Sequence, residues 1–384
     1  MASAFAPQAS LPTTNLFSKE RSGYCNCTNP LSWQANPLGL PSIPRRHANS
    51  ARSAPRCTMA PTPGSEYTPS GNTSSMNLMT GLVNGLFSFK PAWNFMKGKA
   101  RQMMVDRGDA IGFPWKERLE ELKKHDWDAE VEAVRDPGLE YPEYYTVPFH
   151  AYDRGNLSLD AALEVELAAR AVHATVFDTE RQTLDPEGDQ RLRESYHEKM
   201  LPMLKIEPAK IVDLGCSTGL STMALHKTFP EAELTGIDLS EYFVAVASFN
   251  LRRQNAEKGK DLPIRYVHGA AERTGIPAGS VDLVSMCLVC HELPRAATKQ
   301  IIEEAHRILR PGGALCIMEM NPRSPFLQKM VNNVFAFTAF KATEPYFDDY
   351  RTFPIEEAIQ ERGFEAVQQT ESSPRHRTMV AHKL

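Results

Sequence analysis

The chain has no apolar run long enough to cross a bilayer, so no membrane-spanning helix is expected. It has no internal repeat, which sets aside solenoids and propellers. No His, Cys, Asp and Glu fall at metal-ligand spacing, so no metal centre is expected. Cysteine is sparse, at 7 in 384 residues. Those seven make no disulfide framework. Cys25, Cys27 and Cys57 lie in a basic leader, and Cys216, Cys287, Cys290 and Cys316 fall on expected strands or a loop. Cys287-Leu-Val-Cys290-His291 fits the spacing of a haem attachment. On a buried strand, however, residues three apart face opposite ways, and small buried thiols are the better reading. Acid is nearly missing from residues 1–59, where Glu20 stands alone against Lys19, Arg21, Arg45, Arg46, Arg52 and Arg56. The whole chain carries a net charge of −4. The remainder is therefore acidic, which argues against a nucleic-acid surface.

What is present falls into four parts. Residues 1–59 are rich in Ser, Thr, Ala and Pro and resemble a chloroplast transit peptide, in preference to a disordered tail. Residues 60–75 read as a disordered linker. Residues 76–205 form a mainly helical, aromatic extension. Within it, Met76 to Met104 mixes apolar and aromatic residues with Lys90, Lys97, Lys99 and Arg101. That mixture reads either as a segment packed on the domain, which is preferred, or as a helix touching a plastid membrane surface. Gly81, Gly85 and Pro91 speak against one long helix there. A short helix is expected over Ile111–Lys124. Tyr141 to Tyr152 is extended by Pro142 and Pro148 and dense in rings, Tyr145 and His150 among them, which either plug a core or wall a pocket. Helices follow over Leu159–Val176, capped by Ser158 or Asp160, and over Arg191–Leu204.

From residue 206 to 384, strand and helix alternate. Strands are expected at 210–214, 233–237, 264–268, 281–287 and 314–319, with helices at 220–228, 241–257 and 296–309. This pattern implies an α/β domain with a parallel sheet and helices on both faces. Arg310-Pro-Gly-Gly313 reads as a turn before the fifth strand. A helix over Ile355–Arg362 and strands near 364–370 and 377–383 then suggest a closing antiparallel hairpin.

The first strand runs into Asp213-Leu-Gly215-Cys216-Ser217-Thr218-Gly219, then a helix. A strand, a small-residue loop and a helix make a ligand crevice at the carboxyl end of a parallel sheet. A pyrophosphate loop would read G-x-G-x-x-G. An acid before the first glycine suits a ligand with an ammonium group instead. Asp238 ends the second strand about 20 residues on, at the spacing of a ribose-binding acid; a surface Asp opening a turn is the plainer alternative.

These residues resemble motif I of the class I S-adenosylmethionine (SAM) dependent methyltransferases, with Ser217 in place of the middle glycine. Ser280-Val-Asp-Leu-Val-Ser285 and Arg307-Ile-Leu-Arg-Pro-Gly-Gly-Ala314 resemble later stations of the same family, in the right order. His-Glu-Leu-Pro, Glu-Met-Asn-Pro-Arg, Thr-Glu-Pro-Tyr and Ser-Pro-Arg-His-Arg-Thr resemble a plant and cyanobacterial branch without an assigned substrate. The resemblance implies a Rossmann-like sheet ending in an antiparallel hairpin and SAM as cofactor. It implies a donor site of Asp213, Gly215, Cys216, Ser217, Thr218, Gly219, Asp238, Leu239, Ala271, Glu272 and Leu288. Ala270 stands where many members have an Asp for the adenine amino group, so that bond falls to backbone, to Glu272, or to nothing. His291 and Glu292 are candidates for acid–base work, His291 first as general base because its ordinary pKa is near neutral; a His capping the next helix is the alternative. Tyr145, His150, Glu319, Tyr346, Arg375 and Arg377 are candidates for acceptor contact, the two arginines either for an anionic group or for plain salt bridges. Val331 to Phe340 is either the wall for an apolar acceptor or core. The expected activity is methyl transfer to a small molecule in the chloroplast. A NAD(P)-dependent oxidoreductase and a non-catalytic SAM-binding factor are the alternatives. Nothing in the sequence fixes the oligomeric state.

Overall fold

The computed structural model describes residues 90–384 apart from 151, 179, 181 and 342. The leader, the linker and most of the basic aromatic stretch, up to residue 89, lie outside these residues. Among the described residues no helix is long and apolar enough to cross a membrane.

The sheet is built from β1 (Lys210–Leu214), β2 (Glu233–Asp238), β3 (Ile264–His268), β4 (Val281–Cys287), β5 (Leu309–Met320), β6 (Gln368–Glu371) and β7 (His376–His382). Their order is β3-β2-β1-β4-β5-β7-β6. The first five are parallel, and β7 enters antiparallel beside β5 with β6 at its edge. Successive side chains on a strand point to opposite faces, and the sequence uses both. Val212, Leu214, Val284, Met286, Leu315 and Ile317 feed one core. Ile211, Leu283, Cys287, Ala314, Cys316 and Met318 feed the other. A strand apolar on both faces has to be covered on both, which is why the central strands read as near-continuous hydrophobic runs. This is a Rossmann-like α/β architecture whose parallel sheet closes in an antiparallel hairpin.

The described helices are α1 (Lys90–Ala110), α2 (Trp115–Leu122), α3 (Trp127–Val134), α4 (Leu159–His173), α5 (Gly188–Met200), α6 (Leu220–Thr228), α7 (Glu241–Lys258), α8 (Arg295–Ile308), α9 (Pro325–Val331), α10 (Val334–Lys341), α11 (Phe347–Thr352) and α12 (Ile355–Glu361). The parallel strands and their helices fall within about a residue of expectation. The strand before the Pro-Gly-Gly turn differs: β5 already begins at Leu309, paired with Val281, and the turn is a bulge inside the strand.

The front extension departs further. Residues 90–110 form one 21-residue helix, because Pro91 sits in its first turn, where no intrahelical donor is lost. Gly112 at φ +77° and Pro114 then delay the next helix to Trp115. The short helix α3 has no counterpart in the sequence reading; Asp126 caps it through the Ala129 N–H at 3.3 Å. Ser158 does stand at the start of α4, but its side chain makes no cap bond. A third core of Val105, Trp115, Leu119, Trp127, Leu163 and Leu167 packs this extension on Phe243 and Val246 of α7. The extension is thereby fixed over the carboxyl end of the sheet.

Candidate active site

β1 and β2 end side by side, and the loop after β1 turns back across them. Three residues of that loop hold left-handed backbone: Gly215 at φ +71°, Ser217 at +49° and Gly219 at +87°. Gly219 is required twice over, since a β-carbon there would lie 2.3 Å from the Tyr266 hydroxyl. Ser217, by contrast, is held in a conformation that costs an L-residue about 1–2 kcal/mol. Asp238 supplies the restraint. One of its oxygens accepts from the Ser217 N–H at 2.8 Å, and the other from the Ser240 N–H at 2.9 Å and, more loosely, the Tyr145 hydroxyl at 3.3 Å.

Above this loop lies a cavity of about 950 Å³, at the upper end of the volumes ligand pockets show. Its wall includes Gly215, Cys216, Ser217, Asp238, Leu239, Ala271, Glu272 and Leu288, eight of the eleven expected donor-site residues. The other three are not on the wall. Asp213 is 1% exposed, with one oxygen accepting from Ser221 Oγ at 2.6 Å and Thr222 Oγ1 at 2.7 Å. Burial raises its pKa. It braces the loop and the start of α6 through that oxygen, while its other oxygen is buried without a partner. Thr218 is buried behind the turn, and Gly219 opens α6.

Three non-glycine residues among those described have positive φ: His150 at +47°, Ser217 and, at +61°, Leu288. All three line this cavity. Backbone strain concentrated in one place points to a site whose geometry the surrounding fold enforces.

The Tyr141–Tyr152 segment walls the pocket, one of the two readings the sequence left open. Tyr145 and Tyr144 both line it, and Tyr144 donates to Glu272 Oε1 at 2.5 Å. Glu272 Oε2 is buried with no partner, as is the Ser217 hydroxyl. Burial holds the Asp238 carboxyl up at about 6, against the pull of its two backbone donors.

Beyond the loop the wall turns polar. His291 and Glu292 lie on a 3₁₀ turn after β4, and His150 comes from the aromatic segment. His291 Nδ1 is 2.9 and 3.0 Å from the two oxygens of Glu319, which also accepts the His291 N–H at 3.1 Å. Burial would lower this imidazole's pKa, but the Glu319 carboxylate outweighs it and holds the pKa at about 10. With Glu319 against it the ring favours its charged form, which weighs against the expected role of a near-neutral general base. His150 behaves alike. Its Nε2 is 2.8 Å from Glu344 Oε1 and 3.7 Å from Glu292 Oε1. Burial again opposes, and Glu344 with Glu292 prevails, holding it at about 9. Glu292 is the group that moves the other way: burial raises its pKa, only partly offset by His150 and His291.

The remaining expected acceptor residues separate. Glu319 and Tyr346 are behind the wall; Glu319 is fully buried beneath His291, and the Tyr346 hydroxyl donates to the Tyr144 carbonyl at 3.2 Å. Arg377 is also a correction, because it pairs with Glu356 Oε1 at 2.6 Å and with Gln369 at 3.1 Å, away from the cavity. Arg375 does line it, stacked over Phe326 at 4.3 Å and anchored to the carbonyls of Thr175 and Asp178. Asn156, Glu344 and Tyr144 were not singled out from the sequence. Asn156 joins the two halves of the site, its carbonyl accepting from Ser240 Oγ at 2.7 Å and its amide donating to Glu292 at 3.2 Å. Cys287 and Cys290 are buried free thiols. Among the described residues no group of His, Cys, Asp and Glu is arranged to hold a metal.

Residues 212–317 match a family described as a methyltransferase domain. An uncharacterised methyltransferase of Synechocystis sp. is 30% identical over 146 residues, 38% of this chain and 61% of that protein. A demethylmenaquinone methyltransferase of Listeria monocytogenes is 24% identical over 194 residues, 46% of this chain and 79% of that one. The chain thus spans less than two thirds of the Synechocystis relative. Among solved structures, a SAM-dependent methyltransferase of Aquifex aeolicus aligns at TM-score 0.39 with 17% identity, over 52% of this chain and 94% of that one. Residues 212–317 are thus similar to methyltransferase domains, and SAM is the cofactor against which the cavity is tested. The cavity fits such a molecule. Asp238 already accepts from Ser217, Ser240 and, loosely, Tyr145, which leaves about one of its four lone-pair sites for a ribose hydroxyl, and Glu272 Oε2 is an unfilled buried acceptor.

Proposed function

We propose that the chain transfers a methyl group from SAM to a small, partly apolar acceptor, and that it does so in the chloroplast. The carrying observation is Asp238, which restrains the strained loop, lines the cavity and keeps an acceptor site beyond its three hydrogen bonds. When bound, the cofactor supplies a methyl already activated on a sulfonium. The protein therefore has to orient, exclude water and move one proton, and orientation alone is worth roughly 7–11 kcal/mol at best. Tyr144 and Tyr145 close the donor end. Glu292 is the proton acceptor in place of His291, since its pKa is raised toward the working range while both imidazoles stay charged.

An apolar acceptor is supported by the cavity's extension between α1 and α4, along Met103, Met104, Val165, Ala168, Ala169 and Val172. Phe340 of α10 and Met330 of α9 line it from the other side, while Val331 and Phe337 pack on the core. The Val331–Phe340 segment therefore serves as both wall and core. A quinol or prenyl-lipid acceptor is consistent with the similarity to a demethylmenaquinone methyltransferase. The chloroplast assignment rests on the acid-poor leader alone.

The test is calorimetric titration with SAM, S-adenosylhomocysteine, NAD and NADP. Micromolar binding of the first two and none of the dinucleotides is expected. Binding of a dinucleotide alone would overturn the reading.

A further inference from the structure

The polar end of the cavity is built in an unusual way for a site that needs only one base. Glu319 is fully buried and Glu344 is nearly so. Buried carboxylates stay ionised only with a charged partner, and each has one: His291 Nδ1 at 2.9 Å for Glu319, His150 Nε2 at 2.8 Å for Glu344. A charged imidazole is a donor at both nitrogens. His291 Nε2 and His150 Nδ1 make no hydrogen bond within the described residues, and both side chains are on the cavity wall. They lie close enough for the charge on His291 to act on His150. Two cationic rings, held by the protein in spite of their mutual repulsion, thus line one chamber.

Each ring is balanced by its own buried carboxylate, so what the chamber offers is two directed N–H donors and not an excess of positive charge. Glu292 faces both rings, with Asn156 donating to its far oxygen. Tyr145 is neutral, its pKa pushed far up by burial and by Asp238 and Glu292. His376, on the same wall, is kept neutral by burial and by the charge on His173, His291 and Arg375.

We propose that this chamber is an oxyanion site. His150 and His291 clamp the deprotonated oxygen of an acceptor bearing an acidic O–H on an aromatic or enolic frame, and they turn cationic amines away. The inference rests on the methyltransferase reading and narrows its acceptor. As the acceptor enters, its O–H bond breaks, the electron pair stays on oxygen and the proton passes to the Glu292 carboxylate. The negative charge moves from Glu292 to the acceptor oxygen, so the chamber's net charge is unchanged and little is lost to desolvation. The methyl is then destined for that oxygen or for a carbon conjugated with it, and not for nitrogen. An ammonium acceptor brings only donors, and the free nitrogens of two charged rings can accept none of them, so the pair selects against it.

The probe is 4-nitrophenol, whose anion absorbs in the visible where the neutral phenol does not; 4-nitrobenzylamine is the cationic comparator. Titrated below its own ionisation pH, bound nitrophenol should show the anion spectrum and bind at least tenfold tighter than the amine. His150→Gln and His291→Gln should each weaken it tenfold or more. Should His291→Gln fail to fold because Glu319 is stranded, the double variant His291→Gln/Glu319→Gln removes cation and anion together and should show the same loss. S-adenosylhomocysteine binding, measured alongside, reports the donor site. A bound neutral phenol, or amine affinity equal to the phenol's, overturns the oxyanion site even if S-adenosylhomocysteine binds. Nitrophenolate binding without S-adenosylhomocysteine binding sinks the methyltransferase reading and leaves the oxyanion site standing.

Discussion

Asp238→Asn separates a structural role for Asp238 from a ligand role, because the two predict opposite signs. In the folded chain burial raises this carboxyl to about 6, from an ordinary 3.8. A folded value above the unfolded one means stability is greatest below pH 3.8 and is lost as pH rises through about 6. Above that, keeping the ion buried costs about 3 kcal/mol relative to an uncharged group. Asparagine removes the charge and keeps one acceptor. It also sets an NH₂ against the second of two backbone N–H groups, those of Ser217 and Ser240, at a cost of roughly 1–2 kcal/mol. The ligand-free variant should therefore be as stable as the parent, or up to about 2 kcal/mol more so at pH 7.5, a Tm unchanged or higher by a few degrees. S-adenosylhomocysteine binding should go the other way. Hydrogen bonds to a charged acceptor contribute about 1.5–3 kcal/mol each, so its loss weakens affinity by at least roughly tenfold. In the parent, affinity should fall as pH drops below about 6, when Asp238 takes up a proton; in the variant that pH dependence should vanish. Calorimetry from pH 5 to 8 with parallel melting curves checks both. An Asp238→Asn protein that binds within threefold of the parent, or melts well below it, refutes the assignment.

Three further outcomes follow from the same geometry. His291 has a folded pKa of about 10, above the ordinary 6.5, so its contribution is complete below pH 6.5 and is lost as pH rises through 10; urea unfolding of the parent should weaken over that window, and that of His291→Gln should not. Gly219→Ala puts a β-carbon 2.3 Å from the Tyr266 hydroxyl at φ +87°, and should lose about 1–3 kcal/mol of stability and most S-adenosylhomocysteine binding; Tyr266→Phe in the same chain should restore part of the first, both read by melting curves and calorimetry. Leu283→Ala, fully buried on β4 and remote from the ligand wall, should lose about 2–5 kcal/mol in chemical denaturation with ligand affinity unchanged below its melting transition.

The sheet was legible because its signals are local and repeated. β1 and β4 are largely buried runs bounded by turn residues, and α8 shows buried Ala297, Ile301, Ile302, Ala305 and Ile308 at helical spacing. The loop was legible through Gly215 and Gly219, whose left-handed backbone leaves a mark in residue type. Ser217, His150 and Leu288 adopt the same region without that mark, because the fold around them, and not their own preference, sets φ. In the extension, Pro91 falls in the first turn of the helix from Lys90, so it marks a helix start.

The least legible part was the division of labour among acids and bases, and the reason is physical. His291 and Glu292 were both visible in the sequence, and a histidine's ordinary pKa favours it as the base. Its actual charge depends on Glu319, 28 residues away on the neighbouring strand, whose side chain reaches beneath the ring. The same holds for His150 and Glu344, which are brought together only when the segment before the sheet folds over it and the His150 N–H meets the Thr343 carbonyl at 3.1 Å. Spacing can place an acid on a loop, but it cannot say which imidazole it will meet. On the proposed reading both rings are charged, and Glu292, whose pKa burial raises, is the proton acceptor between them. A Glu292→Gln protein should then retain S-adenosylhomocysteine binding and still bind preformed nitrophenolate, but release a proton to solvent on binding neutral nitrophenol. Proton release compared in two buffers of different ionisation enthalpy measures this. Equal release by parent and variant would return the role of base to another group.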